Sequence, residues 1–150
     1  MRFSSLLCAL PLLLLGCSAK DAVSLSVQLE QPVVKVKAGA LGGSVSGSFR
    51  IDFKLGSEAS GSTTVSASNF ALQSASGAVL VPILAVDSQP GFPLVIDKGQ
   101  SKSVTVTLTG SQVDHDAACA GQVQIIGSVS DTLKDGSDPL RSGLITPDCS

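Results

Sequence analysis

The chain has one histidine, His115, and it lies between two carboxylates in Asp114-His115-Asp116. An imidazole flanked in this way could hold a metal ion or, oriented by one carboxylate, serve as a base. A metal centre needs three or four ligands, and a polar surface loop explains the tripeptide just as well, so Asp114, His115 and Asp116 stand as metal candidates only. Asp131, Asp135, Asp138 and Asp148 form a second set of oxygen donors of the kind calcium takes. Their spacing is not that of an EF-hand loop, and Asp is an ordinary residue of β-turns. A nucleophilic serine would be expected in a GxSxG or SxxK setting, and neither occurs. The sequence nominates no catalytic residue and no cofactor.

Composition narrows the function classes further. Past the first residues there is no Met, Trp or Tyr, and the aromatics are Phe49, Phe53, Phe70 and Phe92. Sugar-binding modules rely on flat Trp or Tyr platforms, and copper sites of the envelope on Met or several His, so both classes lack their side chains here. The charge is mildly acidic with no run of Lys or Arg, which argues against a nucleic-acid partner.

The elements that would carry these residues are strands. Val23, Leu25, Val27 and Leu29 alternate with polar residues, and beyond Pro32 the alternation resumes at Val34 and Val36, so Pro32 marks either a kink or a switch between sheets at an edge. Gly39 to Gly47 reads as a flexible connection. Phe49, Ile51, Phe53 and Leu55 alternate with Arg50, Asp52 and Lys54, the clearest strand in the chain and the expected centre of the core. Thr64 to Gln73 follows, with an irregularity near Ser68-Asn69; then Val79 to Val86, interrupted by Pro82 at an edge or bulge, and a short extended piece from Phe92 to Ile96. Val104, Val106 and Leu108 alternate with Thr105, Thr107 and Thr109, a β-branched strand. Gly110 to Ala118 is a polar loop or short helical turn. Gln122 to Ser130 and Leu140 to Thr146 flank a turn at residues 134–138. Short strands at this spacing predict an all-β protein, an antiparallel β-sandwich of the immunoglobulin-like kind with about seven to nine strands, without the Cys and Trp pattern of antibody domains.

The N-terminal residues carry a different signal. Met1-Arg2 is a basic start, Leu6 to Leu15 an apolar run broken only by Cys8, Ala9 and Pro11, and Gly16 a small residue before Cys17. At about 1.5 Å per residue ten apolar residues reach roughly 15 Å, half a hydrocarbon core, so a secretory signal fits better than a membrane span. Leu14-Leu15-Gly16-Cys17 resembles the lipobox of bacterial lipoproteins. The resemblance implies cleavage between Gly16 and Cys17, removal of residues 1–16, and a diacylglycerol on the Cys17 sulfur, in many bacteria with a further acyl chain such as palmitate on its amino group. Two or three chains hold a protein on a membrane where one does not. Ser18 after the cysteine, in place of Asp, is compatible with export to the outer membrane. Residues 17–21 would then be a short tether and residues 22–150 one domain.

With Cys8 removed and Cys17 lipidated, Cys119 and Cys149 remain, and an even remainder in an oxidising compartment suggests a disulfide. Independently, the midpoint of 119 and 149 falls beside Asp135-Gly136, so a hairpin about that turn would bring the two thiols together. No CxxC marks the pair as redox-active. The expectation is a lipid-anchored protein of the bacterial cell envelope acting as a non-catalytic structural or protein-binding module, with the membrane and another envelope protein as partners. The alternatives are a lipoprotein that binds a small ligand or a metal, calcium or a transition ion, and last a hydrolase.

Overall fold

The computed structural model describes residues 24–40 and 42–150. The expectations for residues 1–16, Cys17 and the tether through residue 21 therefore lie outside the described residues.

Alternation of apolar and polar side chains makes strands with one wet and one dry face, and the dry faces must then be buried against each other. β1 (Leu25–Lys37) and β2 (Gly43–Leu55) pair antiparallel from Leu25 opposite Leu55 to Lys37 opposite Ser44. β1 passes Gln31-Pro32 as a bulge, the register shifting between Glu30 and Val33 with Gln31 at φ 51°. Of the two readings of Pro32, the kink holds and the switch between sheets does not. Proline has no N–H to give a ladder, and a bulge absorbs that loss. The strand opposite also accommodates the bulge: a side chain at Gly47 would put its Cβ 2.2 Å from the Val33 carbonyl oxygen.

β2 starts four residues earlier than Gly47, the expected end of the flexible connection, with Val45 buried between exposed Ser44 and Ser46. Its glycines permit close backbone approach; a Cβ at Gly43 would lie 2.9 Å from the carbonyl oxygens of both Lys37 and Val113. The remaining strands are β3 (Thr63–Ser74), β4 (Val79–Val81), β5 (Ala85–Gln89), β6 (Leu94–Ile96), β7 (Ser101–Val113), β8 (Val123–Asp131), β9 (Ser137–Arg141) and β10 (Asp148–Cys149), with one short helix, α1 (His115–Cys119), between β7 and β8.

Two sheets result, ordered β10-β1-β2-β7-β5 and β4-β3-β8-β9, with β6 also pairing β3. The molecule is an all-β sandwich. Setting aside β4, β6 and β10, which have only two or three residues each, the neighbour orders are β1-β2-β7-β5 and β3-β8-β9. Those three short strands account for a count of ten among the described residues where seven to nine were expected.

The run from Val79 to Val86 divides at Pro82. β4 ends one residue before it at the edge of one sheet, Leu84 is buried in the crossing, and β5 begins at the edge of the other. The irregularity near Ser68-Asn69 is a register shift between Ser68 and Ala71 with Asn69 at φ 57°. Phe49, Ile51, Phe53 and Leu55 are all buried and meet Phe70, Leu72 and Ile125 of the second sheet in one core. Phe49 and Phe70 tilt against each other with ring centroids 5.4 Å apart.

The two ends of the sandwich differ. At one lie Ser24, the loop after β2 and the tip between β8 and β9, joined by Gly56 N–H donating to the Ser24 carbonyl and Thr132 N–H to that of Thr64. At the other lie the end of β1, the start of β2, α1 and β10. The thirteen residues of β1, at about 3.3 Å each, put roughly 40 Å between them.

Candidate functional site

The stretch from Gly110 to Ala118, expected as a loop or short helical turn, continues β7 to Val113 and then turns into α1. Asp114 is the N-cap: its φ and ψ are extended and its carboxylate accepts the Ala117 N–H at 3.1 Å. This closes one of the donors left open at a helix start and assigns Asp114 a structural task. Asp116 projects into solvent but accepts a hydrogen bond from His115 Nδ1 at 3.2 Å. Because a carboxylate can only accept, Nδ1 is the donor of this bond and Nε2 is the nitrogen left over. The tripeptide thus does not converge on a common ion.

His115 turns instead toward sulfur. Cys119 and Cys149 form a disulfide with Cα atoms 6.2 Å apart, and one ring nitrogen of His115 lies within 4.8 Å of both sulfurs. His115 Nε2 is buried with no hydrogen-bond partner among the described residues. His115 and Cys119 are four apart on α1, so they share a face of that turn. That i, i+4 spacing was readable in the sequence; the third member was not, because Cys149 arrives from the far end of the chain.

The disulfide joins the expected pair by an unexpected route. β9 leaves the ladder after Arg141; beyond it the Ser142 N–H still donates to the Ile125 carbonyl, and Val123 and Ile145 form an isolated bridge. The chain then crosses to the first sheet, where β10 pairs parallel with Lys35 and Val36 of β1. Cys119 sits at the end of α1 rather than on β8. The bond therefore ties the C-terminal strand of one sheet to the crossing between sheets, and is not a cross-link within the hairpin.

The four aspartates of the calcium reading do not meet. Asp131 accepts the Leu133 N–H at 2.8 Å within its turn, Asp138 pairs with Lys134, and Asp148 lies in β10 at the other end of the molecule. Among the described residues, His115, Cys119 and Cys149 are the grouping of three or more ligand side chains. On the outer face of the first sheet, Asp52 accepts from the Ser103 hydroxyl at 2.6 Å and from the Arg50 guanidinium at 2.9 Å. The Ser103 bond holds its carboxyl below its ordinary value against the opposing effect of burial, and the hydrogen bond and charge of Arg50 add smaller contributions in the same direction as Ser103. A groove of about 370 Å³ near Ser24, lined by Leu25, Glu58, Asp131, Leu133 and Lys134, marks the end of the sandwich from which the chain runs back toward its N-terminus.

Comparison with known protein families, with curated proteins and with solved structures finds no match. Among the described residues no helix is long and apolar enough to cross a membrane.

Proposed function

We propose that the chain is a lipid-anchored protein of a bacterial envelope, outer membrane by the Ser18 criterion, whose single immunoglobulin-like sandwich is a non-catalytic structural or protein-binding module. The observation that carries this reading is the Leu14-Leu15-Gly16-Cys17 pattern placed directly ahead of a strand-built body. From Cys17 to Leu25 an extended chain at about 3.5 Å per residue spans less than roughly 30 Å, so the body stays close to the bilayer. The end bearing the groove near Ser24 then faces the membrane, and the edges and far end are free to meet another envelope protein.

The edge at β4 and β5 fits such a contact. Ile83 is 81% exposed at the crossing between the two sheets, with Val79 and Val86 exposed on either side of it. Exposed apolar residues grouped at open strand edges are surfaces that proteins cover. Replacing Cys17 by Ser removes the acylated sulfur, and the protein is then expected to leave the membrane fraction of disrupted cells; retention there would refute the anchor. In intact cells, crosslinking should capture a second envelope protein. Ile83→Lys should abolish that capture while leaving stability within about 0.5 kcal/mol, as a surface change does. An unaltered crosslink in Ile83→Lys would remove this edge from the proposal.

A further inference from the structure

The His115, Cys119 and Cys149 cluster lies at the end of the sandwich away from Ser24, and the outward-facing polar side of the protein does not explain it. A histidine beside a purely structural disulfide would be expected to satisfy both ring nitrogens or to point to water. Here Nδ1 is bound by Asp116, Nε2 is buried and unpartnered among the described residues, and one of the two ring nitrogens lies within 4.8 Å of both sulfurs. A carboxylate holding one imidazole nitrogen so that the other presents its lone pair is the outer-shell arrangement of metal-bound histidines.

From this geometry we propose that His115, Cys119 and Cys149 form a reduction-gated site for a thiophilic divalent cation of the zinc type. In the disulfide state the sulfurs are bonded to each other and the site is closed. A dithiol reductant transfers two electrons to the bond: it becomes a disulfide itself, and its two protons pass to the Cys119 and Cys149 sulfurs. A divalent cation then displaces those two protons, giving two thiolates and one neutral imidazole around the ion, with no net charge left in the cluster.

The distances allow it. Metal–sulfur bonds of about 2.3 Å at a tetrahedral angle separate two sulfurs by roughly 3.8 Å, and a metal–nitrogen bond of about 2.0 Å places the nitrogen roughly 3.5 Å from each. Cysteine Cα atoms 6.2 Å apart and a ligand set already within 4.8 Å reach these values by side-chain rotation. Two thiolates and an imidazole select zinc-like ions over calcium or magnesium. Cys149 is exposed, so a reductant can reach the bond. Three protein ligands leave a fourth position for water or another donor.

The test uses the full chain, reduced with an excess of dithiol, freed of reductant and titrated anaerobically with cobalt(II) as a spectroscopic stand-in for zinc. The expected result is one cobalt per chain with thiolate-to-cobalt charge transfer and the visible bands of a tetrahedral ion, and none of this in the oxidised chain. Cys119→Ser and Cys149→Ser should each abolish the charge-transfer band or halve it, His115→Gln should weaken binding more than about tenfold and shift the visible bands, and Asp116→Asn should weaken it about tenfold. Thermal unfolding of the oxidised His115→Gln protein, unchanged from the parent, checks that the variant folds. If the reduced chain loses its β-sheet circular dichroism without metal, zinc should restore it. Equal binding by the oxidised chain, equal affinity in His115→Gln, or a reduced chain that zinc neither binds nor refolds would each overturn the proposal.

Discussion

Asp52 shows how much a single well-placed carboxylate contributes on a wet sheet face. Arg50 lies two residues away on the same face of β2 and Ser103 directly opposite on β7, so the strand period and the register together assemble the cluster. Its folded-state pKa is lowered from the ordinary 3.8, so between the two values the unfolded chain binds more protons and stability rises with pH. The contribution is complete above the unfolded value and is lost as pH falls through the lowered folded value. Both charged partners are partly exposed, which limits it to less than about 1 kcal/mol. Asp52→Asn should therefore cost under about 1 kcal/mol in urea unfolding at neutral pH, and the gap to the parent should close as the pH is taken well below 3.8. Curves that stay equally far apart at all pH would show that the carboxylate acts by packing. Gly127 is a sharper case, since a Cβ there would lie 2.8 and 2.9 Å from atoms of the Phe70 ring, itself held against Phe49. Gly127→Ala is expected to cost about 1–3 kcal/mol, whereas Gly121→Ala, with no atom within 4 Å of the new carbon, should be near neutral; thermal melts of the two compare them directly.

At the scale of elements, what could be read from the sequence followed how far the period-2 pattern was undisturbed. β2 from Phe49 onward and β7 from Val104 to Leu108 alternate without a break, and both lie in the middle of the first sheet with their apolar side chains buried. The pattern failed where backbone demands replaced side-chain demands. Gly43 and Gly47 are strand residues whose missing Cβ is required by the carbonyls facing them, yet glycine reads as loop. The β9 side of the last hairpin failed differently. Leu140 and Ile145 are buried, but between them the Ser142 hydroxyl accepts the Ile125 N–H at 2.9 Å and the chain leaves the sheet, an arrangement of side chain for backbone that alternation cannot report. The site behaved likewise: His115 and Cys119 are neighbours along one helical turn, while the approach of Cys149 depends on β10 crossing to β1. That crossing has a local consequence. β10 is held to β1 by a few backbone bonds, among them Ala38 N–H to Ser150 and Ser150 N–H to Val36, plus the disulfide. In a Cys119→Ser, Cys149→Ser protein the amides of Ala38 and Ser150 should exchange with deuterium by local opening at close to unprotected rates, while those of β2 and β7 accelerate only by the factor that the lost global stability sets. An acceleration at Ala38 and Ser150 no larger than that of the β2 and β7 amides would mean that the bond acts on the whole fold and does not hold this strand in particular.

For the whole molecule the disulfide matters mainly through the unfolded chain. It spans 30 residues, including all of β8 and β9, and the chain-entropy treatment gives a loop of that size about 3–4 kcal/mol. A domain of this length is stable by about 5–15 kcal/mol in total, so the bond supplies a sizeable fraction without being indispensable to a core that already joins both sheets through Phe49, Phe70, Leu72 and Ile125. The serine double variant is therefore expected to fold, with a melting temperature lower by on the order of 10 °C. The slope of its urea transition separates two origins for that loss. If the cross-link acts by restricting the denatured ensemble, its removal lets the unfolded chain expand and expose more surface, and the slope increases. If the loss came from native contacts around α1 and β10, the midpoint would fall at an unchanged slope. The entropic origin predicts the steeper curve, and a shifted but parallel one would assign the stabilisation to the folded state.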